Sequence, residues 1–152
     1  MRPEDIFAEL HRAASTACGA RLFTVTVLDR AAGVARRAYT SHPDDYPATG
    51  TKPMGTSAWT QQVIARGETF VANTTSGFSP FFSDHALINE LGCEAAINIP
   101  ITRSNQVVGT VNILDEAEHF TPERVKALER IVEERRVDLL RALADTPMQE
   151  QS

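Results

Sequence analysis

The sequence predicts a single α+β domain, and three observations support this fold class. Two pairs of strand-like segments are each joined by a short turn, which is typical of an antiparallel sheet. An amphipathic helical pattern stands near each end of the chain. The length of 152 residues suits one domain, and 42% hydrophobic residues are enough for one core. We therefore expect the two terminal helices to cover one face of the sheet.

The terminal helices are predicted from the spacing of their apolar residues. The first spans residues 3–17, and its stripe consists of Ile6, Phe7, Leu10, Ala13, Ala14 and Ala17. The second begins after Thr121, the expected N-cap, with Pro122 at the first helical position. We predict it as one long helix with a buried stripe of Val125, Leu128, Val132, Leu139 and Leu143. The domain is expected to span residues 1–144, with a disordered tail at 145–152.

The strands alternate between two kinds of side chain, which assigns them two faces. Residues 22–28 and 34–40 form a first hairpin, and residues 93–101 and 106–114 form a second. One face of these strands is aliphatic. The other is polar, small and uncharged, and it consists of Thr24, Thr26, Asn98, Thr110 and Asn112. A face open to water normally carries charged residues, so this composition favours a partly enclosed site.

The middle stretch, residues 39–92, is irregular and long enough to cover that polar face. A Pro-containing loop at 41–53 leads into a helix that Thr56 or Ser57 would cap. A brief strand at 69–72, a polar loop at 73–83 and a short helix follow. Its aromatic residues Trp59, Phe81 and Phe82 would form apolar walls above a polar floor, as in many ligand pockets. The alternative is that they form a second core that packs solidly on the sheet.

The second hairpin carries the clearest family resemblance. The motifs are Ala95-Ala96-Ile97-Asn98-Ile99-Pro100-Ile101, then Val107-Val108-Gly109-Thr110-Val111-Asn112-Ile113-Leu114, then Phe120-Thr121-Pro122-Glu123. Together with Gly55 and the helix around Trp59, they resemble a GAF domain over nearly the whole chain. The resemblance implies a six-stranded antiparallel sheet, with the N- and C-terminal helices on one face and the insert over the other. It also implies a small-molecule pocket under the insert and a homodimer formed through the terminal helices.

We therefore expect a sensory or regulatory domain that binds an unidentified small metabolite and has no output domain of its own. The candidate ligand-binding residues are Tyr39, Trp59, Asn73, Phe81, Phe82, His85, Asn98, Thr110 and Asn112. His85 would hydrogen-bond a carboxylate or carbonyl of the ligand. Lys52 is the best-placed cation for an acidic ligand, although it also fits an ordinary solvated loop lysine. No cofactor and no metal site are expected, since the histidines and acids show no ligand spacing.

The composition argues against several other partners. The net charge of −5 and the pI of about 5.3 predict no binding to nucleic acid or to anionic lipid. The N-terminus lacks the apolar core of a signal peptide, and no apolar run approaches the roughly 18 residues of a membrane span. A cytoplasmic location is the resulting expectation.

Two alternatives to a binding domain stay open. One is a thiol-dependent redox enzyme related to free-methionine sulfoxide reductase, which needs an attacking and a resolving thiol. The positions that carry the subfamily's cysteines hold Met54 and Asn89 here, so this alternative is disfavoured. Cys93 is predicted to be a small buried residue rather than a nucleophile. The other alternative is a dimerisation scaffold without a ligand.

Overall fold

The computed structural model describes residues 2–48 and 52–146. Its helices are α1 (Pro3–Cys18), α2 (Ala58–Thr60, continuing as a π-helix over Gln61–Ala65), α3 (Thr75–Phe78), α4 (His85–Glu90), α5 (Pro122–Glu134) and α6 (Arg136–Ala144). Its strands are β1 (Leu22–Asp29), β2 (Val34–Thr40), β3 (Lys52–Pro53), β4 (Phe70–Ala72), β5 (Ala95–Arg103) and β6 (Gln106–Asp115). The tail predicted to be disordered lies mostly outside the described residues, whereas Asp145 and Thr146 extend the hydrogen bonds of α6.

The six strands form one antiparallel sheet in the order β3-β2-β1-β6-β5-β4. This confirms the predicted fold class and both predicted hairpins. The two central strands, β1 and β6, come from different hairpins and pair with each other. The pairing of β1 with β6 therefore joins the two hairpins into one sheet. The strands β3 and β4, which belong to the insert, form its edges.

The helices α1, α5 and α6 pack on the aliphatic face of the sheet. Their apolar stripes meet Phe23, Ile97 and Ile113 in one core, which excludes water almost completely. Gly109 allows α6 to approach, because a Cβ there would lie 2.6 Å from the Thr26 carbonyl oxygen and 2.9 Å from Leu143 Cδ1. The glycine of the second hairpin therefore serves the packing of a helix against the sheet.

The C-terminal helix differs from the prediction, because it is divided at Arg135. The Arg135 N–H bonds to the Val132 carbonyl three residues back, and the residue has φ −108 and ψ 10. Its guanidinium donates to both carboxylate oxygens of Glu9 on α1, at 2.8 and 3.1 Å. The apolar stripe continues across the break, so Leu139 and Leu143 are still buried. The spacing of apolar residues therefore does not reveal this helix break, which coincides with the ion pair between Arg135 and Glu9 on α1.

The insert is more ordered than its sequence pattern predicts. The loop at 41–53 ends in β3, and the loop at 73–83 contains α3. Phe78 is completely buried on the sheet with Ile88 and Cys93, and these residues belong to a second, smaller core. Asp84 stands at the N-cap of α4 but its side chain does not cap the helix, because the carboxylate binds other residues described below.

Candidate functional site

A cavity of about 360 Å³ lies between the polar face of the sheet and the insert. This volume falls at the lower end of the range of small-molecule sites. The strands β1, β5 and β6 supply its floor, β2 and β3 supply one side, and α2 with the segment before α4 supplies the other. The two alternatives for the insert are therefore both partly correct, since one part packs as a second core and another part encloses space.

Hydrogen bonds link the side chains of the floor in a continuous series. The Trp59 indole Nε1–H donates to Asn98 Oδ1 at 2.9 Å. Asn98 Nδ2 then donates to Asn112 Oδ1 at 2.8 Å. Asn112 Nδ2 donates to the hydroxyl oxygens of Thr24 at 3.1 Å and Thr26 at 3.0 Å. We call these five residues the floor network.

The direction in which hydrogen bonds are donated along the floor network is set by Trp59. An indole N–H can only donate, so the Asn98 atom that faces it must be the amide oxygen. The Asn98 nitrogen then faces Asn112, which in turn must present its oxygen to Asn98 and its nitrogen to the threonines. Both threonine oxygens accept, and each hydroxyl keeps its own hydrogen to donate.

An aromatic wall closes the cavity above β4 and β5, and we define it as Trp59, Phe81 and Phe82. The Trp59 and Phe82 rings meet edge to face at 6.3 Å. Phe70, whose strand pairs with β5 opposite Asn98, contacts Phe81 at 5.9 Å and Phe82 at 6.5 Å. The wall is therefore fixed by ring packing that continues down to the sheet.

The opposite side of the cavity is charged. Arg37 lies 3.6 Å from the centre of the Tyr46 ring and donates to the Pro47 carbonyl at 2.7 Å. The Tyr46 hydroxyl donates to Asp84, and Arg37 also forms an ion pair with Asp84 at 3.9 Å. Burial, more than the neighbouring charges, raises the pKa of Tyr46 well above its ordinary value, so its hydroxyl remains a donor. Lys52, on the edge strand, lines the same side.

The structure brings six of the nine candidate residues to the cavity. These are Trp59, Phe81, Phe82, Asn98, Thr110 and Asn112. Asn73 lies elsewhere, where its amide donates to the Phe120 carbonyl at 3.1 Å and accepts from the Phe120 N–H at 2.9 Å. His85 opens α4 without lining the cavity. Asn73 therefore ties the insert to the loop before α5.

Tyr39 lies on the helix side of the sheet, and a β-bulge explains the difference. The register between β1 and β2 shifts at Val25/Thr26, so Val25 pairs with Tyr39 whereas Thr26 pairs with Arg37. Tyr39 consequently joins Val25 on the aliphatic face, where it contacts Phe7 and Phe23. Arg37 faces the cavity together with Thr26. Without the bulge, Tyr39 would lie on the same face as Arg37, because the two residues are two positions apart.

Part of the charged side was not predicted from the sequence. Arg37 and Asp84 were not among the candidates, although two consecutive arginines on a short strand were a visible signal. Asp84 gave no such signal, because it is 38 residues from its hydrogen-bond partner Tyr46. Only the packing of the insert brings these two residues together.

The two thiols do not line the cavity. Cys93 is completely buried, and burial, more than the nearby Asp115, raises its pKa to about 11. Burial also raises the pKa of Cys18. Because the thiolate is the nucleophile, raised pKa values and burial suit structural rather than reactive cysteines.

Within residues 2–48 and 52–146, no three His, Cys, Asp or Glu side chains are grouped so as to hold a metal ion. No helix in the same ranges combines the length and the apolar character that crossing a membrane requires.

Comparisons with known proteins agree with this architecture. The family model described as GAF domain matches residues 1–146. The GAF domain of a two-component sensor histidine kinase from Bacillus halodurans superposes with a TM-score of 0.73 at 14% identity, covering 90% of this chain and 92% of that one. A GAF domain/HD domain protein from Geobacter sulfurreducens gives a TM-score of 0.73 at 11% identity, with 92% and 93% covered. The second GAF domain of DevS from Mycobacterium smegmatis gives 0.67 at 16% identity, with 93% and 96% covered.

A comparison with curated proteins found no match. The chain belongs to the GAF domain family, whose members are ligand-binding sensory domains. The identities to the solved structures are low, so these likenesses show the shared fold alone.

Proposed function

We propose that this chain is a sensory or regulatory domain that binds one small metabolite in the cavity above β1, β5 and β6. The observation that carries the proposal is the partly open cavity of about 360 Å³ between the floor network and the aromatic wall. Its lining combines apolar walls with a few oriented hydrogen-bonding groups, which is the composition of small-molecule sites. The raised pKa values of Cys18 and of the buried Cys93 favour binding over thiol chemistry.

The sheet offers a short route from the cavity to the terminal helices. The Thr26 side chain belongs to the floor network, and its backbone carbonyl lies against Gly109. Leu143 of α6 contacts Gly109 from the helix side. Only Gly109 therefore separates Thr26 from Leu143 of α6, so a ligand that moves Thr26 is expected to change the packing of α6 on the sheet. This is the coupling we propose between the occupied cavity and the helices.

The test compares a variant that fills the cavity with one that enlarges a distant surface residue. Ala35 lines the cavity from β2, and Ala35→Trp is expected to occupy part of the space. Val71 is 36% exposed on edge strand β4 and does not line the cavity, so Val71→Trp is the matched control. Native mass spectrometry detects retained ligand, and thermal denaturation against a metabolite library detects binding.

We expect at least one compound to raise the melting temperature of the wild type and of Val71→Trp, but not of Ala35→Trp. Stabilisation at about 100 times the dissociation constant corresponds to ~2.7 kcal/mol, which a melting curve resolves. The proposal is wrong if no compound binds the wild type, or if every compound that binds also stabilises Ala35→Trp equally.

We also propose that the chain forms a homodimer through its terminal helices. The supporting observation is Val137, a large apolar residue on α6 that is 66% exposed. A second copy that covers this residue would remove its apolar surface from water. Sedimentation velocity measures the stoichiometry, and a monomer at all concentrations would contradict this proposal.

A further inference from the structure

We infer that the metabolite is a small organic anion, a carboxylate with an aromatic or apolar body. This inference rests on the proposed function, and it adds the chemical class of the ligand and its orientation. The cavity corresponds to about a dozen water molecules at their share of liquid volume, which suits a compact aromatic acid. The charge of the lining, the direction of the floor network and the placement of the aromatic wall each support it.

The lining is cationic although the whole chain is acidic. Among the described residues, the cations whose side chains lie on the cavity face are Arg37 and Lys52, with Asp84 as the acid. Arg36 borders the cavity from β2, but it pairs with Val27, so its side chain lies on the helix face of the sheet. The net charge of the chain is −5, so the positive lining does not follow from overall composition. The Asp84 carboxylate and the Arg37 guanidinium pair with each other, and Tyr46 also donates to Asp84, so Lys52 supplies the remaining positive charge of this lining. A carboxylate ligand gains attraction at this side, whereas a cationic ligand would be repelled.

The floor network presents donors to the cavity. Because the Trp59 N–H orients the whole series, Thr24 and Thr26 accept from Asn112 and keep their hydroxyl hydrogens to donate. Hydrogen bonds from hydroxyl groups to a carboxylate are charge-assisted and stronger than neutral ones. The ligand group that fits this floor is therefore an acceptor, and the charged acceptor is favoured over the neutral one.

The register of the sheet places these donors beside the cations. Thr26 pairs with Thr110 on one side and with Arg37 on the other. In the next row, Ala35 pairs with Lys52 on the edge strand. The aromatic wall stands at the other end of the floor, above Asn98 and Phe70. A ligand is thus oriented with its carboxylate toward β2 and β3 and its apolar body against the aromatic wall.

The experiment uses acid and amide pairs that differ in charge but hardly in shape. The probes are phenylacetate with phenylacetamide, and indole-3-acetate with indole-3-acetamide. The chain has one tryptophan, so ¹⁵N-labelled protein gives a single indole N–H signal, which reports from Trp59 inside the cavity. Titration of that signal measures the dissociation constant of each probe.

We expect each acid to bind at least about tenfold more tightly than its amide, which corresponds to ~1.4 kcal/mol. Lys52→Gln should weaken binding of the acid and leave binding of the amide nearly unchanged, whereas Thr26→Val should weaken binding of the acid more than binding of the amide. Lys126→Gln, which removes an exposed lysine on α5, is the matched control and should change neither.

Three results would overturn the inference. If an amide binds as tightly as its acid, the site is not selective for anions, although the proposed binding function stands. If the preference survives both Lys52→Gln and Thr26→Val, the carboxylate does not lie beside β2 and β3. If none of the four probes shifts the Trp59 signal, the site does not accept aromatic acids. The comparison of Ala35→Trp with Val71→Trp then decides the proposed function separately.

Discussion

Trp59 illustrates how a single residue orders a polar site. Its N–H can only donate, and this property sets the orientation of two buried asparagine amides. Asn98 is 3% exposed and Asn112 is 8% exposed, so water cannot easily replace a missing partner. The polar floor is therefore stable because both asparagine amides are hydrogen-bonded.

Replacing Trp59 with Phe tests this role. Trp59→Phe keeps an aromatic ring near Phe82 but removes the donor to Asn98 Oδ1. We expect the free energy of unfolding to fall by about 1–3 kcal/mol, because a buried acceptor loses its partner. Urea denaturation followed by circular dichroism measures this change.

A double-mutant cycle with Asn98→Ala separates the hydrogen bond from the loss of ring area. We expect a coupling free energy above ~0.5 kcal/mol between the two positions. Strictly additive effects would mean that Trp59 contributes through packing alone.

At the scale of elements, α1 is held on the sheet by an aromatic cluster that contains a histidine. His11 stacks on Phe23 with ring centroids 4.8 Å apart, and its Nδ1 lies 3.4 Å from the Tyr39 hydroxyl. Burial, more than the nearby His42 and Arg12 charges, lowers the pKa of His11 below its ordinary value of 6.5, although a backbone hydrogen bond to Ala20 opposes the shift. The docked helix therefore favours the neutral imidazole.

This lowered pKa predicts the pH dependence of α1 docking. Between the folded pKa and 6.5, the unfolded chain binds the proton more readily than the folded chain does. The stabilisation from His11 is thus complete above pH 6.5 and is lost as the pH falls through the folded pKa.

The measurement is the free energy of unfolding of wild type and His11→Gln from about pH 7.5 to about pH 5. Because the variant keeps the other three histidines, the difference between the two curves isolates His11. We expect the wild type to lose stability relative to the variant as the pH falls. A difference that is constant with pH would show that His11 does not titrate differently in the folded chain.

At the scale of the molecule, one sheet separates a large core from a smaller, interrupted one. Phe23, Ile97 and Ile113 face the terminal helices, whereas Leu22, Ala96 and Leu114 face the insert. The central strands are therefore buried on both faces. The insert contributes short helices and also lines the cavity, so it has fewer apolar contacts to lose on opening.

Hydrogen exchange should reveal this difference. We expect amides of β1, β5 and β6 to exchange only through global unfolding, and amides of residues 54–92 to exchange faster through local opening. Hydrogen–deuterium exchange with mass spectrometry measures both groups in one experiment. If the insert amides are as protected as those of β6, the cavity cover does not open independently of the sheet.

Features that depend on neighbouring residues could be predicted from the sequence, whereas features that depend on distant residues could not. Alternation along the strands predicted the polar floor correctly, because side-chain direction in a strand has a period of two residues. The aromatic residues Trp59, Phe81 and Phe82 of the insert also line the cavity above that floor, as predicted. Tyr39, a candidate because its hydroxyl stands where the chain enters the insert loop, lies on the aliphatic face instead, since a bulge opposite Val25 and Thr26 separates it from the cavity side.

The amino-acid sequence by itself determined the α+β class, the two hairpins and the uncharged floor, because periodicity and turn chemistry are local properties. The tertiary structure alone decided that Arg37, Tyr46 and Asp84 meet at one side of the cavity and that Arg135 joins Glu9 where the C-terminal helix divides. These groups are far apart along the chain, and their pairing depends on how whole elements pack. The meeting of Arg37, Tyr46 and Asp84 therefore depends on the packing of the insert on the sheet.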